Sequence, residues 1–270
     1  MSKPLPEVDY VLWSNWTRPN GGAGRCEGCP AHWSVREDYH GEAGSRTSSF
    51  DHRPLFAYGD ADPEIVIVGE GPGPPQDDGD HHPADENKRE ADLEDVRSES
   101  IMDAVNGTLK FAEPLFTAVE ESEFDGHFTQ VRKCNQIEYD ESNDRARRHC
   151  AGAGQFDGYL YEEMDALDPE AVITITTRGG AEFSEVFGLP RMKTKAMAQG
   201  SGESGFRVHV QDEIGFRWYP APHPRPAGAE WTFKHLDSIK SEWGRRKSTR
   251  EYFKLFVDEV LEDFQRSRTS

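Results

Sequence analysis

Hydrophobic positions along this chain fall into short unbroken runs separated by stretches of helical spacing. The first run is Glu64-Ile65-Val66-Ile67-Val68, with glycines and prolines directly after it. Consecutive rather than alternate apolar positions predict a parallel strand covered on both faces. Glu113 to Glu121 reads as a short helix through Leu115, Phe116 and Val119. His127 to Arg132 predicts a second strand, with Cys134 just beyond its C-terminal end. A helical stretch opened by Cys150 places Phe156, Tyr159, Leu160 and Met164 on one apolar face and stops at Asp168-Pro169. Ala171 to Thr177 is β-branched and predicts a third strand; Gly179 to Phe187 predicts a helix closed by Gly188 and Pro190. Two short strands follow, Arg207 to Val210 and Phe216 to Tyr219. The clearest helix is the last, where Phe253, Phe256, Val257, Val260, Leu261 and Phe264 recur at spacings of three and four. Strands alternating with helical stretches predict a three-layer α/β domain.

Between these elements the chain is polar. Residues 31–53 show no period and read as loop with short helix at most, and Thr194 to Gly205 reads as a glycine-rich loop. Asp77 to Ser98 carries nine carboxylates against Lys88, Arg89 and Arg97, a solvated insertion. The expected organisation is one domain over residues 1–270, with that insertion at about 77–110 and the C-terminal helix at about 248–267. No charged-then-apolar leader is visible, and no apolar run approaches the ~18 residues of a membrane span. The expectation is a cytoplasmic protein that meets no membrane, a monomer, with its thiols reduced.

Charge changes the picture. Fifty Asp and Glu against 31 Lys and Arg give a net charge of -19. Excess surface carboxylate suits a halophilic protein, because at molar salt self-repulsion is screened within ~3 Å. The other reading is a protein of ordinary salt with acidic loops. Under molar salt both the repulsion of nucleic acid and the counterion-release attraction to it largely vanish, so acidity excludes no DNA partner.

All the cysteines of the chain are four: Cys26 and Cys29 as C-x-x-C, then Cys134 and Cys150. A single four-thiolate metal centre accounts for all of them and would pin the N-terminal region to the middle of the chain. Two disulfides or four buried free thiols are the alternatives. A C-x-x-C suits tetrahedral zinc or an iron–sulfur cluster, and spacing does not choose between them.

Two further segments could carry chemistry. Gly69-Glu70-Gly71-Pro72-Gly73 follows a strand and would lie at the C-terminal edge of an open α/β sheet, where ligands bind. It is neither a Walker loop nor a dinucleotide fingerprint, and a plain turn is the competing reading. His223 sits among Pro220, Pro222, Pro224 and Pro226, which would fix it on an extended path; a lone histidine is more often structural.

Taken together, Cys26-x-x-Cys29, the strand ending Val-Gly-Glu-Gly-Pro-Gly, Thr129-Gln130-Val131-Arg132-Lys133-Cys134, Cys150, and the late Pro-His-Pro resemble the family 4 uracil-DNA glycosylases. The resemblance runs from Cys26 to Arg225. It implies an α/β/α sandwich with a central, mostly parallel sheet, and a four-iron–four-sulfur cluster rather than zinc, held by Cys26, Cys29, Cys134 and Cys150. It implies hydrolysis of the N-glycosidic bond of deoxyuridine in single- or double-stranded DNA, with the nucleotide flipped from the helix. His223 would donate to uracil O2 as negative charge develops there. Glu70 and Gly71 would lie beside base and sugar, Gly69 at the same turn, with Glu70 or Asp77 positioning or activating water.

The chain departs from the family where activity is decided. The first motif usually continues with Glu-Asp, then a Gly-x-Pro-Phe segment whose ring stacks on uracil; here it reads Gln76-Asp77, then Gly79-Asp80-His81-His82-Pro83. Phe111 is the ring available to replace it, a stacking contribution of about 1–3 kcal/mol. The family's base-reading asparagine is Gln130 here, longer by one methylene. Arg132, Lys133, Arg145, Arg147, Arg148 and His149 around the second cysteine pair, Arg245, Arg246, Lys247 and Arg250 before the last helix, and Arg225 form an expected phosphate track. Pairing of these charges with Glu138, Asp140, Glu141 and Asp144 is the alternative. Three functions follow in order of preference: a glycosylase acting on uracil or a related damaged base, a non-catalytic nucleic-acid-binding relative, and an electron-transfer protein.

Overall fold

The computed structural model describes residues 58–71, 112–133, 150–152, 158–175, 177–191, 215–221 and 247–269. The acidic insertion, the loops at 31–53 and 194–205 and the strand expected at Arg207 to Val210 lie outside the described residues.

The elements are β1 (Tyr58–Gly59), β2 (Ile65–Gly69), α1 (Glu113–Glu120), β3 (Gly126–Gln130), α2 (Tyr159–Leu167), β4 (Ala171–Thr174), α3 (Thr177–Val186), β5 (Arg217–Pro220) and α4 (Lys247–Arg268). The strands form one five-stranded sheet in the order β1-β3-β2-β4-β5. β3, β2, β4 and β5 are parallel, and only the short edge strand β1 is antiparallel. This is an α/β fold with a mixed, mostly parallel sheet. Among the described residues no helix is long and apolar enough to cross a membrane.

β2 explains the unbroken apolar run. Ile65 and Ile67 join one buried cluster with Leu115, Phe116 and Val119 of α1 and Phe256, Val257, Val260 and Phe264 of α4. Val66 and Val68 join a second cluster with Leu160 and Met164 of α2 and Phe183 and Val186 of α3. The same alternation divides Ile173 from Val172 and Tyr219 from Trp218. Each such aliphatic side chain, fully enclosed, stabilises the fold by about 1.5–3 kcal/mol. A strand apolar on both faces is thus held by helices from both sides.

The crossovers obey a consistent rule. From β2 the chain passes through α1 to β3 on one side; it then reverses past β2 through α2 to β4, and on through α3 to β5. Right-handed crossovers made in opposite directions must use opposite faces, which is where the two clusters put α1 against α2 and α3. The reversal makes the gap between β2 and β4 the topological switch point.

Local signals set the helix ends. Asp168 takes the left-handed conformation at φ 43° and its N–H bonds to the Met164 carbonyl at 2.9 Å, so α2 stops where Asp168-Pro169 predicts. Gly188 closes the turn after α3 at φ 68°, open to a glycine at no steric cost. α3 begins at Thr177, two residues ahead of the expected start. α4 is fastened at the N-terminal edge of the sheet. Arg268 pairs with Glu64 at 2.5 Å and Glu170 at 3.5 Å, and Asp263 accepts from Arg217 at 2.7 Å and Tyr219 Oη at 2.8 Å.

Candidate functional site

At the opposite, C-terminal edge the ladder continues beyond the strands. Val131 N–H bonds to Gly69 O at 2.9 Å and Arg132 N–H to Glu70 O at 3.1 Å, so the Gly-Glu-Gly turn is sewn to the end of β3. Ile175 N–H bonds to Val68 O at 3.1 Å, and Ala221 N–H to Thr174 O at 2.6 Å. The glycine turn, Gln130 and the exit of β5 toward Pro222-His223 therefore share one edge. β5 is separated from β2 only by β4; two strand spacings amount to about 10 Å.

The structure brings several sequence-predicted residues together here. Gly69 and Gln130 are partners in register, and a Cβ placed on Gly69 would lie 3.6 Å from Gln130 Cγ and 3.3 Å from the Phe128 ring. A Cβ on Gly71 would stand 3.0 Å from Cβ, Nε and Nη2 of Arg132. Both glycines are thus places where a side chain presses on backbone. Gln130 is buried, and Glu70 is half-buried at the lip of the edge. Asp77, Gln76, Phe111, His223 and Arg225 lie outside the described residues, as do Cys26, Cys29 and Cys134.

Two residues expected on a phosphate track are buried in this structure: Arg132 is 2% exposed and lies against Gly71, and Lys133 is 0% exposed. Lys133 Nζ donates to Thr129 Oγ1 at 2.6 Å and to Glu163 Oε2, and Thr129 Oγ1 donates to the same Glu163 oxygen at 2.8 Å. The triangle is closed and buried.

Glu163 is the residue that sequence reasoning missed; Thr129 entered only as part of a motif, without this partner. The signal was present: Glu163 shares the apolar face of α2 with Leu160, Met164 and Leu167, all buried. A carboxylate on an apolar stripe demands a buried cation or donor.

Cys150 is buried, and burial pushes its thiol up, opposed by the Lys133 backbone and by the charges of Lys133 and Arg132. Gly158 at the N-cap of α2 packs so closely that a Cβ there would run into the backbone of Ala151 and Gly152. Among the described residues no three His, Cys, Asp or Glu side chains gather as a metal site, three of the four cysteines lying outside them. Cys150 is the one cysteine among the described residues.

The chain matches no family model and no curated protein.

Proposed function

We propose that this chain is a DNA glycosylase that hydrolyses the N-glycosidic bond of uracil, or of a related damaged base, in single- or double-stranded DNA. Its scaffold on this reading is a three-layer α/β/α sandwich of the uracil-DNA glycosylase kind. The observation that carries the reading is the convergence of the Gly69-Glu70-Gly71 turn, Gln130 and the exit of β5 toward His223 on one edge, at the switch point of the sheet.

The chemistry follows from that edge. A flipped nucleotide, extruded for a few kcal/mol, enters at the glycine turn, whose backbone Phe128, Gln130 and Arg132 pack from the sides where a Cβ would stand. Gln130 offers its amide to the base edge. His223 donates to O2 as the departing base gains negative charge, and Glu70 or Asp77 holds the attacking water against the cationic sugar. Cys26, Cys29, Cys134 and Cys150 would hold a four-iron–four-sulfur cluster. When bound, that group supplies a covalent tie between the N-terminal segment and the end of β3, with no part in bond cleavage.

The test is base release from uracil-containing DNA by protein purified anaerobically and assayed at molar salt. Wild type releases uracil, and His223→Ala loses about 10²–10³-fold in rate, the range for removing one donor to a developing anion. A wild type with full metal content and no release overturns the glycosylase reading. Gln130 favours one alternative, a non-catalytic DNA-binding protein of this fold: its Cγ already fills the space beside Gly69, so its amide projects farther than a shorter side chain's. Binding of uracil-containing DNA without release would select that alternative.

A further inference from the structure

The triangle of Lys133, Glu163 and Thr129 is more than the packing of α2 on β3 requires. An apolar set of similar volume often holds two elements as well as a buried ion pair, or better, and Glu163 Oε1 is enclosed with no hydrogen-bond partner. Both donors, the Lys133 ammonium and the Thr129 hydroxyl, meet on the other oxygen, Oε2. What such an arrangement supplies, and apolar packing does not, is direction.

That direction is used at the end of β3. The strand stops at Gln130, and the next two residues carry the glycine turn: Val131 N–H bonds to Gly69 O at 2.9 Å and Arg132 N–H to Glu70 O at 3.1 Å. One residue further, Lys133 folds back to Thr129 Oγ1 at 2.6 Å, so the segment 129–133 closes on itself and is anchored to α2. Successive strand residues face opposite sides of a sheet. With Thr129 held toward α2, Gln130 is turned to the other side, where its Cγ lies 3.6 Å from the position of a Cβ on Gly69.

We propose that Glu163 is a positioning residue for the candidate site, acting through Lys133 and Thr129 to fix the strand end on which Gln130 and the Gly69-Glu70-Gly71 turn depend. Buried itself, it touches neither DNA nor base. Its effect on base release rests on the glycosylase reading; its hold on the edge rests on the hydrogen bonds and stands without that reading.

The experiment compares full-length wild type with Thr129→Val, Thr129→Ser and the triple variant Thr129→Val/Lys133→Met/Glu163→Leu, which makes the whole triangle apolar and leaves no buried charge unpaired. Single-turnover uracil release, affinity for uracil-containing DNA, amide hydrogen exchange and thermal stability are read together. The triple variant melts at or above the wild-type temperature, yet releases uracil about 10²-fold more slowly, the cost of a site group displaced by about 1 Å. Its DNA affinity stays near wild type, because phosphate contacts dominate binding. The Val131 and Arg132 amides exchange about 5–10-fold faster, the equivalent of one weakened backbone hydrogen bond, while Ile67 in the central strand β2 keeps its protection. Thr129→Val, which loses only the hydroxyl, slows release and loosens the same two amides; Thr129→Ser, which keeps it, restores both. A triple variant with wild-type release and exchange, or Thr129→Val indistinguishable from Thr129→Ser, overturns the positioning role and leaves the glycosylase reading standing. A wild type that releases no uracil overturns the glycosylase reading instead, and the exchange of Val131 and Arg132 then decides whether the triangle holds the edge.

Discussion

Gly71→Ala tests whether the glycine turn is fixed by its contact with Arg132. The new Cβ would stand 3.0 Å from three atoms of Arg132, and ordinary contact requires several tenths of an ångström more. Nε and Nη2 belong to the end of a long side chain and can swing aside. Arg132 Cβ cannot, because its residue is tied to the turn by the 3.1 Å bond from Arg132 N–H to Glu70 O. The turn must then lift from β3, with overpacking costing about 1–3 kcal/mol and the weakened backbone bond about 1 kcal/mol. The expected loss is about 2–4 kcal/mol, which at ~2–4 °C per kcal/mol lowers the melting temperature by roughly 4–16 °C. Urea denaturation at constant m-value measures it, with Gly69→Ala as control. There the nearest contact is the edge of the Phe128 ring at 3.3 Å, and the expected cost is at most about 1 kcal/mol. On the glycosylase reading, Gly71→Ala also slows uracil release, since the lifted turn carries Glu70 with it. A Gly71→Ala protein as stable as wild type, or less perturbed than Gly69→Ala, would refute the placement of Arg132 over the turn.

Two further outcomes concern the opposite edge and the helical face. Burial, then the hydrogen bond to Asp263, pushes the Tyr219 hydroxyl far above the ordinary tyrosine range. With the folded value raised, its contribution to stability is intact below pH ~10, the unfolded value, and is lost as pH rises beyond it. Urea midpoints between pH 8 and 11.5 should fall more steeply for wild type than for Tyr219→Phe; parallel slopes would contradict this. Phe264→Ala should cost about 3–5 kcal/mol, because its ring is buried against Phe124 at a centroid distance of 4.9 Å. Urea denaturation measures it, and a loss below about 1 kcal/mol would contradict that packing.

How legible each element was in the sequence follows from where its stabilisation comes from. β2 could be read because covering both faces removes polar positions, leaving Ile-Val-Ile-Val unbroken. α4 could be read because one buried face imposes spacings of three and four. β1 could not: Tyr58 and Gly59 have no period, and their strand exists only through pairing with Phe128 and His127 across the sheet. β3 was read as running to Arg132 and in fact ends at Gln130, because Val131 and Arg132 turn to bond the glycine loop. Arg132-Lys133 reads as a surface pair because adjacent cations usually are. The partner that lets Lys133 be buried is Glu163, thirty positions away on a helix face that only the packed fold brings against it, while Arg132 packs on the glycine turn.

Those two cations also bear on how an acidic chain could bind DNA. The net charge is -19, and two of the cations expected to meet phosphate, Arg132 and Lys133, are buried in this structure. On the DNA-binding reading, if the remaining cations carry the contact, affinity should depend on Arg145, Arg147, Arg148 and the cluster at Arg245, Arg246 and Lys247. Replacing Arg147 and Arg148 together by alanine should then lower DNA affinity and flatten its dependence on salt by about two units of log–log slope. Lys133→Met should leave that slope where it was. The reverse result would mean that Lys133 leaves its ion pair to meet the phosphate backbone, and the buried triangle would have to open for DNA to bind.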